Sequence, residues 1–137
     1  MRVSPIADKV SDVVLALAPD TNAPRRARRA LHEARLPEDL EHTVDLLATE
    51  IVANAVRHVD FGQDQRIVFA ARFVSDFIRV EVADPGPGFD PDEAAGGRGF
   101  GLRMVEKLAS RWGVEPTSEG SRVWFEVDRR SKRRFER

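Results

Sequence analysis

The chain has 137 residues, a length typical of one domain, and a chain of this size buries roughly two-thirds of the surface that it exposes when unfolded. It contains no cysteine, which excludes disulfides, thiolate metal sites and a cysteine nucleophile, and which fits a reducing cytoplasm. The 22 basic and 23 acidic residues give a net charge of -1, so the overall charge favours neither nucleic acid nor an anionic membrane as a partner. The longest early apolar run, 13–18, is too short for a signal core or a membrane span, so we expect a cytoplasmic protein.

The first elements in the chain are a strand and a helix. The run 12–18 is short and apolar and is followed by a turn-like segment, which indicates a buried strand, although a short helix would show the same pattern. Asn22 or Thr21 can cap a following helix, and Pro24 suits its first turn. This helix should continue to about Leu36, and it carries Arg25, Arg26, Arg28 and Arg29.

The rest of the chain predicts two more helices and four more strands. The second helix should be long and amphipathic, with acidic residues in its first turn, where the helix dipole favours negative charge. Two of the strands are separated by three residues and are therefore expected to form a hairpin. In chain order the elements are a helix at 37–58, strands at 66–73 and 77–83, a glycine-rich stretch at 85–101, a helix at 100–110, and strands near 113–117 and 122–127.

This order of elements predicts an α+β fold, a two-layer sandwich in which helices cover one face of a mixed, mainly antiparallel sheet. The domain should span residues 12–128. Residues 1–11 then form an N-terminal extension, and residues 129–137 form a basic tail that we expect to be disordered.

The second predicted helix carries polar residues on its core face. At 100° per residue, the apolar residues within one narrow arc are Leu40, Val44, Leu47 and Ile51. Asn54 falls inside this arc and Glu50 lies at its edge, although an unpaired buried polar group costs on the order of 1–3 kcal/mol. A buried hydrogen-bond network or an exposed helix edge would explain both residues. In the functional interpretation, Asn54 supplies an oxygen to Mg²⁺ and Glu50 orients or deprotonates a nucleophile.

Two glycine segments follow. Asp84 ends a strand and precedes Gly86 and Gly88, so a flat ligand could approach the backbone there. Such a carboxylate can accept a hydrogen bond from an exocyclic amine such as that of adenine, whereas an ordinary turn or a helix cap would show the same pattern.

The second glycine segment runs directly into the third predicted helix. It consists of Gly97, Arg98, Gly99, Phe100 and Gly101, and Leu102 follows. Glycines at a helix start leave amide groups open to an anion, which suits phosphate, and a flexible hinge is the alternative. The spacing does not match the dinucleotide pattern, and the chain contains no P-loop. The polar helix face and the two glycine segments thus supply, in order, parts suited to the metal, base and phosphates of a nucleotide.

These residues carry a resemblance to a known superfamily. ATEIVANAVRH resembles the N box, VADPGPGF the first glycine box and GGRGFGL the second glycine box of the ATPases shared by DNA gyrase, heat-shock chaperones, sensor histidine kinases and mismatch-repair proteins. The resemblance covers about residues 12–127 and implies the Bergerat ATP-binding fold. The small size, the Arg-rich first helix and the ending LASRWGVEPTSEGSRVWFEV are most similar to stand-alone anti-sigma factor serine/threonine kinases.

The resemblance implies that the protein binds Mg·ATP and transfers its γ-phosphoryl group to a serine, with Glu50 as the base that activates the hydroxyl. The residues that it assigns to the nucleotide are Asn54 for the metal, Asp84, Gly86 and Gly88 for the adenine, and Gly97, Arg98, Gly99, Phe100, Gly101 and Leu102 for the phosphates. Arg98 would reach the γ-phosphate.

The resemblance also implies protein partners, namely an anti-anti-sigma factor as substrate and a sigma factor that is held inactive, together with a homodimer. The superfamily includes members that bind nucleotide without transferring phosphate, so the alternative is a nucleotide-binding module that sequesters its partner. Nucleic-acid binding through 25–29 and 129–137 is not expected, because the overall charge is balanced and no aromatic residues are interleaved with these cations.

Overall fold

The computed structural model describes residues 12–58, 65–85 and 100–129. These ranges contain five strands and three α-helices: β1 (Val13–Leu17), α1 (Ala23–Glu33), α2 (Glu41–His58), β2 (Ile67–Phe73), β3 (Phe77–Asp84), α3 (Phe100–Leu108), β4 (Arg111–Pro116) and β5 (Ser121–Asp128). A 3-10 helix, Glu38–Leu40, leads into α2. The expected N-terminal extension and all of the basic tail except Arg129 lie outside the described residues. The helices within the described ranges include no candidate membrane span.

The described strands form one sheet in the order β1-β2-β3-β5-β4. Every pairing is antiparallel, so these strands lack the parallel pair that a mixed sheet would contain. Side chains alternate between the two faces, and one face joins the helices in a single core. Residues of this core include Ala27 and Leu31 of α1, Leu47 and Ile51 of α2, Leu102 and Val105 of α3, and Phe69, Val80 and Phe125 of the sheet. The predicted α+β fold with helices on one face is confirmed.

Helix α2 lies between α1 and α3 and makes contacts with both. Its predicted apolar stripe is buried, since no member is more than 3% exposed. Two polar contacts tie α1 to α2: the Arg28 guanidinium donates to the Thr49 hydroxyl at 2.9 Å, and the His32 ring lies 2.7 Å from Asp45 and 3.1 Å from Glu41. The side of α1 that bears Arg28 and His32 therefore faces α2.

Helix α1 ends at Glu33, earlier than the predicted end at Leu36. Arg35 adopts a left-handed conformation with φ of 67°. The Arg35 N–H donates to the His32 carbonyl and the Leu36 N–H donates to the Leu31 carbonyl, the two bonds of a Schellman motif. Such motifs usually have glycine at this position. Because this chain has arginine there, the sequence pattern gave no signal that the helix ends. Strand β4 likewise begins at Arg111, earlier than predicted.

The other face of the sheet is covered by none of the described helices, and ion pairs run across β3, β5 and β4. The pairs are Arg79 with Glu81 and Glu126, Arg122 with Glu81 and Glu115, and Arg111 with Glu126 and Asp128, at 2.6 to 3.4 Å. The Arg79 guanidinium also lies 4.3 Å from the centre of the Trp124 ring. Hydrogen bonds to Asp128 and Glu126 raise the pKa of Arg111 further above its ordinary value, so Arg111 stays charged at physiological pH. We call this surface the ion-pair face.

Candidate functional site

The direction in which each helix and strand runs determines which residues lie at the same end of the domain. A cavity of about 210 Å³ is lined by Asp39, Leu40, Thr43, Leu108, Ser110, Val127 and Asp128. The start of α2, the end of α3 and the end of β5 therefore meet at one pole. The C-terminal half of α2 and the start of α3 consequently point to the opposite pole, which we call the site pole.

The end of β3 also lies at the site pole. Asp84 is the last residue of β3 and pairs with Ser121, the first residue of β5. The cavity lies beside Val127, near the last residue of β5, so Asp84 is at the opposite end of this strand. Asn54 lies about 16 Å along α2 from Thr43, given a rise of about 1.5 Å per residue. The structure thus brings Asn54, Asp84 and the start of α3 to the same end of the domain.

Asn54 is the most unusual polar residue at this pole. It is 3% exposed, and its Oδ1 atom has no hydrogen-bond partner among the described residues. Within the part of the chain that the structure describes, no buried hydrogen-bond network accounts for this oxygen, and leaving such an oxygen unpaired costs on the order of 1–3 kcal/mol. Amide oxygens are ligands that Mg²⁺ accepts, so the donor at this position fits a hard cation.

Glu50 lies one helical turn before Asn54 and is half-buried. Its neighbour Thr49 accepts the hydrogen bond from Arg28, which fixes α2 against α1 directly before Glu50. A half-buried carboxylate is accessible to a group that approaches from solvent. Glu50 is therefore open to solvent, whereas Asn54 is shielded from bulk water.

Asp84 is buried at 6% exposure, and the Ser121 hydroxyl donates to its Oδ1 atom at 3.5 Å. Gly120 precedes Ser121 in the turn between β4 and β5, where the Thr117 N–H donates to the Gly120 carbonyl. A Cβ atom on Gly120 would overlap the Asp84 carbonyl oxygen and lie 2.7 Å from the Pro85 backbone. The turn and the serine together fix the position of the Asp84 carboxylate.

The start of α3 completes the site pole. Phe100 and Gly101 are the first two residues of this nine-residue helix, so the second glycine segment leads into a helix N-terminus as predicted. The Leu102 side chain is buried in the core at 3% exposure, which leaves only its backbone for a phosphate. The other predicted ligands of the base and phosphates, Gly86, Gly88, Gly97, Arg98 and Gly99, lie outside the described residues.

Residues 8–127 match the histidine kinase-like ATPase domain. The chain belongs to this family. A search of the curated proteins found no match. An ATPase domain of this family is expected to bind ATP.

Sequence reasoning missed two residues of this ATPase domain, Gly120 and Ser121. Their roles depend on the pairing of β3 with β5, which joins residues that are 37 positions apart. The sequence shows a glycine in a turn, but a turn glycine alone does not reveal which backbone packs against it.

Substituting Gly120 with alanine is expected to lower the free energy of unfolding by about 1–3 kcal/mol, the usual effect of forcing an atom into packed backbone. The nearest atoms belong to the backbone of Asp84 and Pro85, so the clash cannot be relieved by a side-chain rotation. Denaturant unfolding measures the loss, and ATP affinity should fall with it. Ser118→Ala, an exposed change in the same turn, is the control and should leave both quantities unchanged.

Proposed function

We propose that this ATPase domain is a cytoplasmic, Mg·ATP-dependent serine/threonine kinase that phosphorylates an anti-anti-sigma factor and holds a sigma factor inactive. The main support is the pair on α2: Asn54 is buried with an unpaired Oδ1 atom, and Glu50, one turn earlier, is half-buried. In this pair, the residue proposed to bind the cation is shielded from solvent, whereas the residue proposed to act as the base is accessible.

The nucleotide is proposed to lie across the site pole. The Asp84 carboxylate, held by Ser121, would accept a hydrogen bond from the adenine amine. The phosphates would lie at the N-terminus of α3, where the helix dipole and free amides favour negative charge. The Asn54 oxygen would hold the Mg²⁺ that neutralises charge on the phosphates.

Glu50 would accept the proton of the incoming serine hydroxyl. The serine oxygen then forms a bond to the γ-phosphorus while the bond from that phosphorus to the bridging oxygen breaks, and ADP leaves. The charge that develops on the transferred group would be stabilised by the helix N-terminus and the metal.

The partner surface is proposed to include the outer face of α1. Arg25, Arg26 and Arg29 are exposed there, whereas Arg28 is engaged with Thr49. An exposed group of cations on one helix favours an acidic protein surface and increases the rate of encounter with it. We assign this face to the anti-anti-sigma factor or the sigma factor.

The kinase proposal is tested by incubating the protein with ATP labelled at the γ-phosphate and candidate serine-containing antagonists. We expect the label on one serine of the antagonist and none on the variant in which that serine is alanine. Mg·ATP binding without transfer to any antagonist would contradict the kinase and favour a module that sequesters its partner. Loss of sigma-factor binding on addition of the unphosphorylated antagonist would support the sequestration part.

A further inference from the structure

Three side chains that can bind a transition metal meet where α1 and α2 form a helical hairpin. Helix α1 ends at Glu33, and His32 in its last turn contacts the start of α2. Glu41 and Asp45 are four residues apart on α2, so their carboxylates lie on the same face of that helix. One nitrogen of His32 and one oxygen of each carboxylate all lie within 4.8 Å of one another. We call these three residues the hairpin cluster.

The contacts within the hairpin cluster are mismatched when the imidazole ring is neutral. His32 Nε2 lies 2.7 Å from Asp45 Oδ2, and His32 Nδ1 lies 3.1 Å from Glu41 Oε2. A neutral ring carries a single N–H group, so only one of its two nitrogens donates a hydrogen bond to a carboxylate. The other nitrogen directs its lone pair at a carboxylate oxygen. A cation bound by that nitrogen and that oxygen replaces the repulsion with two attractive contacts.

The other oxygen of Asp45 is a separate indication of a cation. Asp45 Oδ1 is buried and has no hydrogen-bond partner among the described residues. A buried carboxylate oxygen without a donor is costly, because an ionised group needs a hydrogen bond or a cation to offset its lost hydration. The Asp45 side chain is 23% exposed, whereas those of His32 and Glu41 are 39% and 42% exposed. Asp45 is therefore the inner ligand of the cluster, and the other two side chains lie toward solvent.

The ligand types in the hairpin cluster select the ion. Mg²⁺ and Ca²⁺ take oxygen ligands, whereas an imidazole nitrogen combined with carboxylates suits Zn²⁺. Zinc lies about 2.0–2.2 Å from such nitrogen and oxygen atoms, which places the ligands of a tetrahedral ion about 3.3 Å apart. Because His32 and Glu41 are partly exposed, small rotations of their side chains reach this spacing. Three protein ligands leave the fourth position of the ion to water.

We propose that His32, Glu41 and Asp45 bind one Zn²⁺ ion, which ties the last turn of α1 to the start of α2. Zinc stabilises the folded chain, because the unfolded chain does not hold the three ligands together. The ion holds the arginine-bearing helix α1 in place on α2. It lies at the pole opposite the site pole, so it takes no part in the proposed nucleotide chemistry, and the inference does not depend on that chemistry.

Isothermal titration of the full, nucleotide-free chain with ZnCl₂, after treatment with a chelator, tests the site. We expect one zinc ion per chain. His32→Ala should weaken zinc binding at least about tenfold, because loss of a group that only orients a metal ligand already costs about 10- to 100-fold. His42→Ala is the matched control, since His42 is exposed next to Glu41 but lies outside the hairpin cluster, and its zinc affinity should be unchanged.

Thermal unfolding provides a second measurement on the same proteins. Zinc should raise the Tm of the unaltered chain and of His42→Ala, but not that of His32→Ala or of Asp45→Asn, which keeps the shape of the aspartate. The absence of zinc binding would overturn the inference and leave a second proton on the imidazole as the cation of the cluster. Equal zinc affinity in His32→Ala and the unaltered chain would overturn it as well.

The nucleotide site is measured separately. The rise in Tm that Mg·ATP produces is recorded on each zinc-free variant and should be the same in all of them. A chain that binds zinc but not Mg·ATP would contradict the proposed function alone, whereas a chain that binds Mg·ATP but not zinc would contradict the zinc site alone.

Discussion

Replacing Asn54 with alanine is expected to abolish the stabilisation of this domain by Mg·ATP. At a ligand concentration of a hundred times Kd, binding raises the free energy of unfolding by about 2.7 kcal/mol. For a domain of this size that corresponds to a rise in Tm of about 10 °C, which thermal unfolding measures directly. The Asn54 oxygen has no hydrogen-bond partner among the described residues, so its removal breaks no bond there and the nucleotide-free variant should stay folded.

Asn22 is the matched control for this variant. It is exposed at the start of α1, where its Oδ1 atom accepts a hydrogen bond from Arg25 at 2.6 Å. Asn22→Ala removes the same atoms from an exposed turn residue to which we assign no role in nucleotide binding, and the rise in Tm with Mg·ATP should remain. An Asn54→Ala protein that is folded and still gains the full 10 °C or so would refute the assignment of this residue to the metal.

Replacing Glu50 with glutamine is expected to preserve ATP binding and to slow phosphotransfer by a factor of about 10² to 10⁴, the usual contribution of a general base. Glutamine keeps the size and polarity of the side chain but does not accept the serine proton. A single-turnover experiment with labelled ATP measures transfer, and the Tm shift measures binding on the same protein.

Glu41→Gln is the corresponding control, because Glu41 lies on the same helix near the opposite pole and contacts His32. Transfer by this variant should equal that of the unaltered chain. If Glu50→Gln lost binding and transfer to the same extent, Glu50 would be a binding residue and the base assignment would be wrong. If it lost neither, the base would lie elsewhere.

The fold could be predicted because local patterns and burial agree along most of the chain. The arc that placed Leu40, Val44, Leu47 and Ile51 on one face of α2 corresponds to a buried stripe in the structure. The ends of helices were less predictable where a residue adopts a backbone conformation that its residue type rarely takes. Arg35 ends α1 in a left-handed conformation that glycine normally supplies, and the prediction therefore extended the helix to the next proline.

The burial of the site candidates was predictable where a single helix or a single strand end carries them. Asn54 stood out because an amide lies inside an apolar arc, and the structure confirms that it is buried. Gly120 and Ser121 were not predictable, because their contact with Asp84 depends on a long-range strand pairing. The ion-pair face was also missed, since Arg79 and Glu126 become partners only when β3 and β5 are adjacent.

We propose that this chain binds Mg·ATP at the pole where α2, β3 and α3 converge. Isothermal titration of the purified full chain with ATP, with and without Mg²⁺, measures this binding. We expect one nucleotide per chain, with affinity that falls when Mg²⁺ is omitted. The absence of binding under both conditions would show that the site pole does not hold the nucleotide.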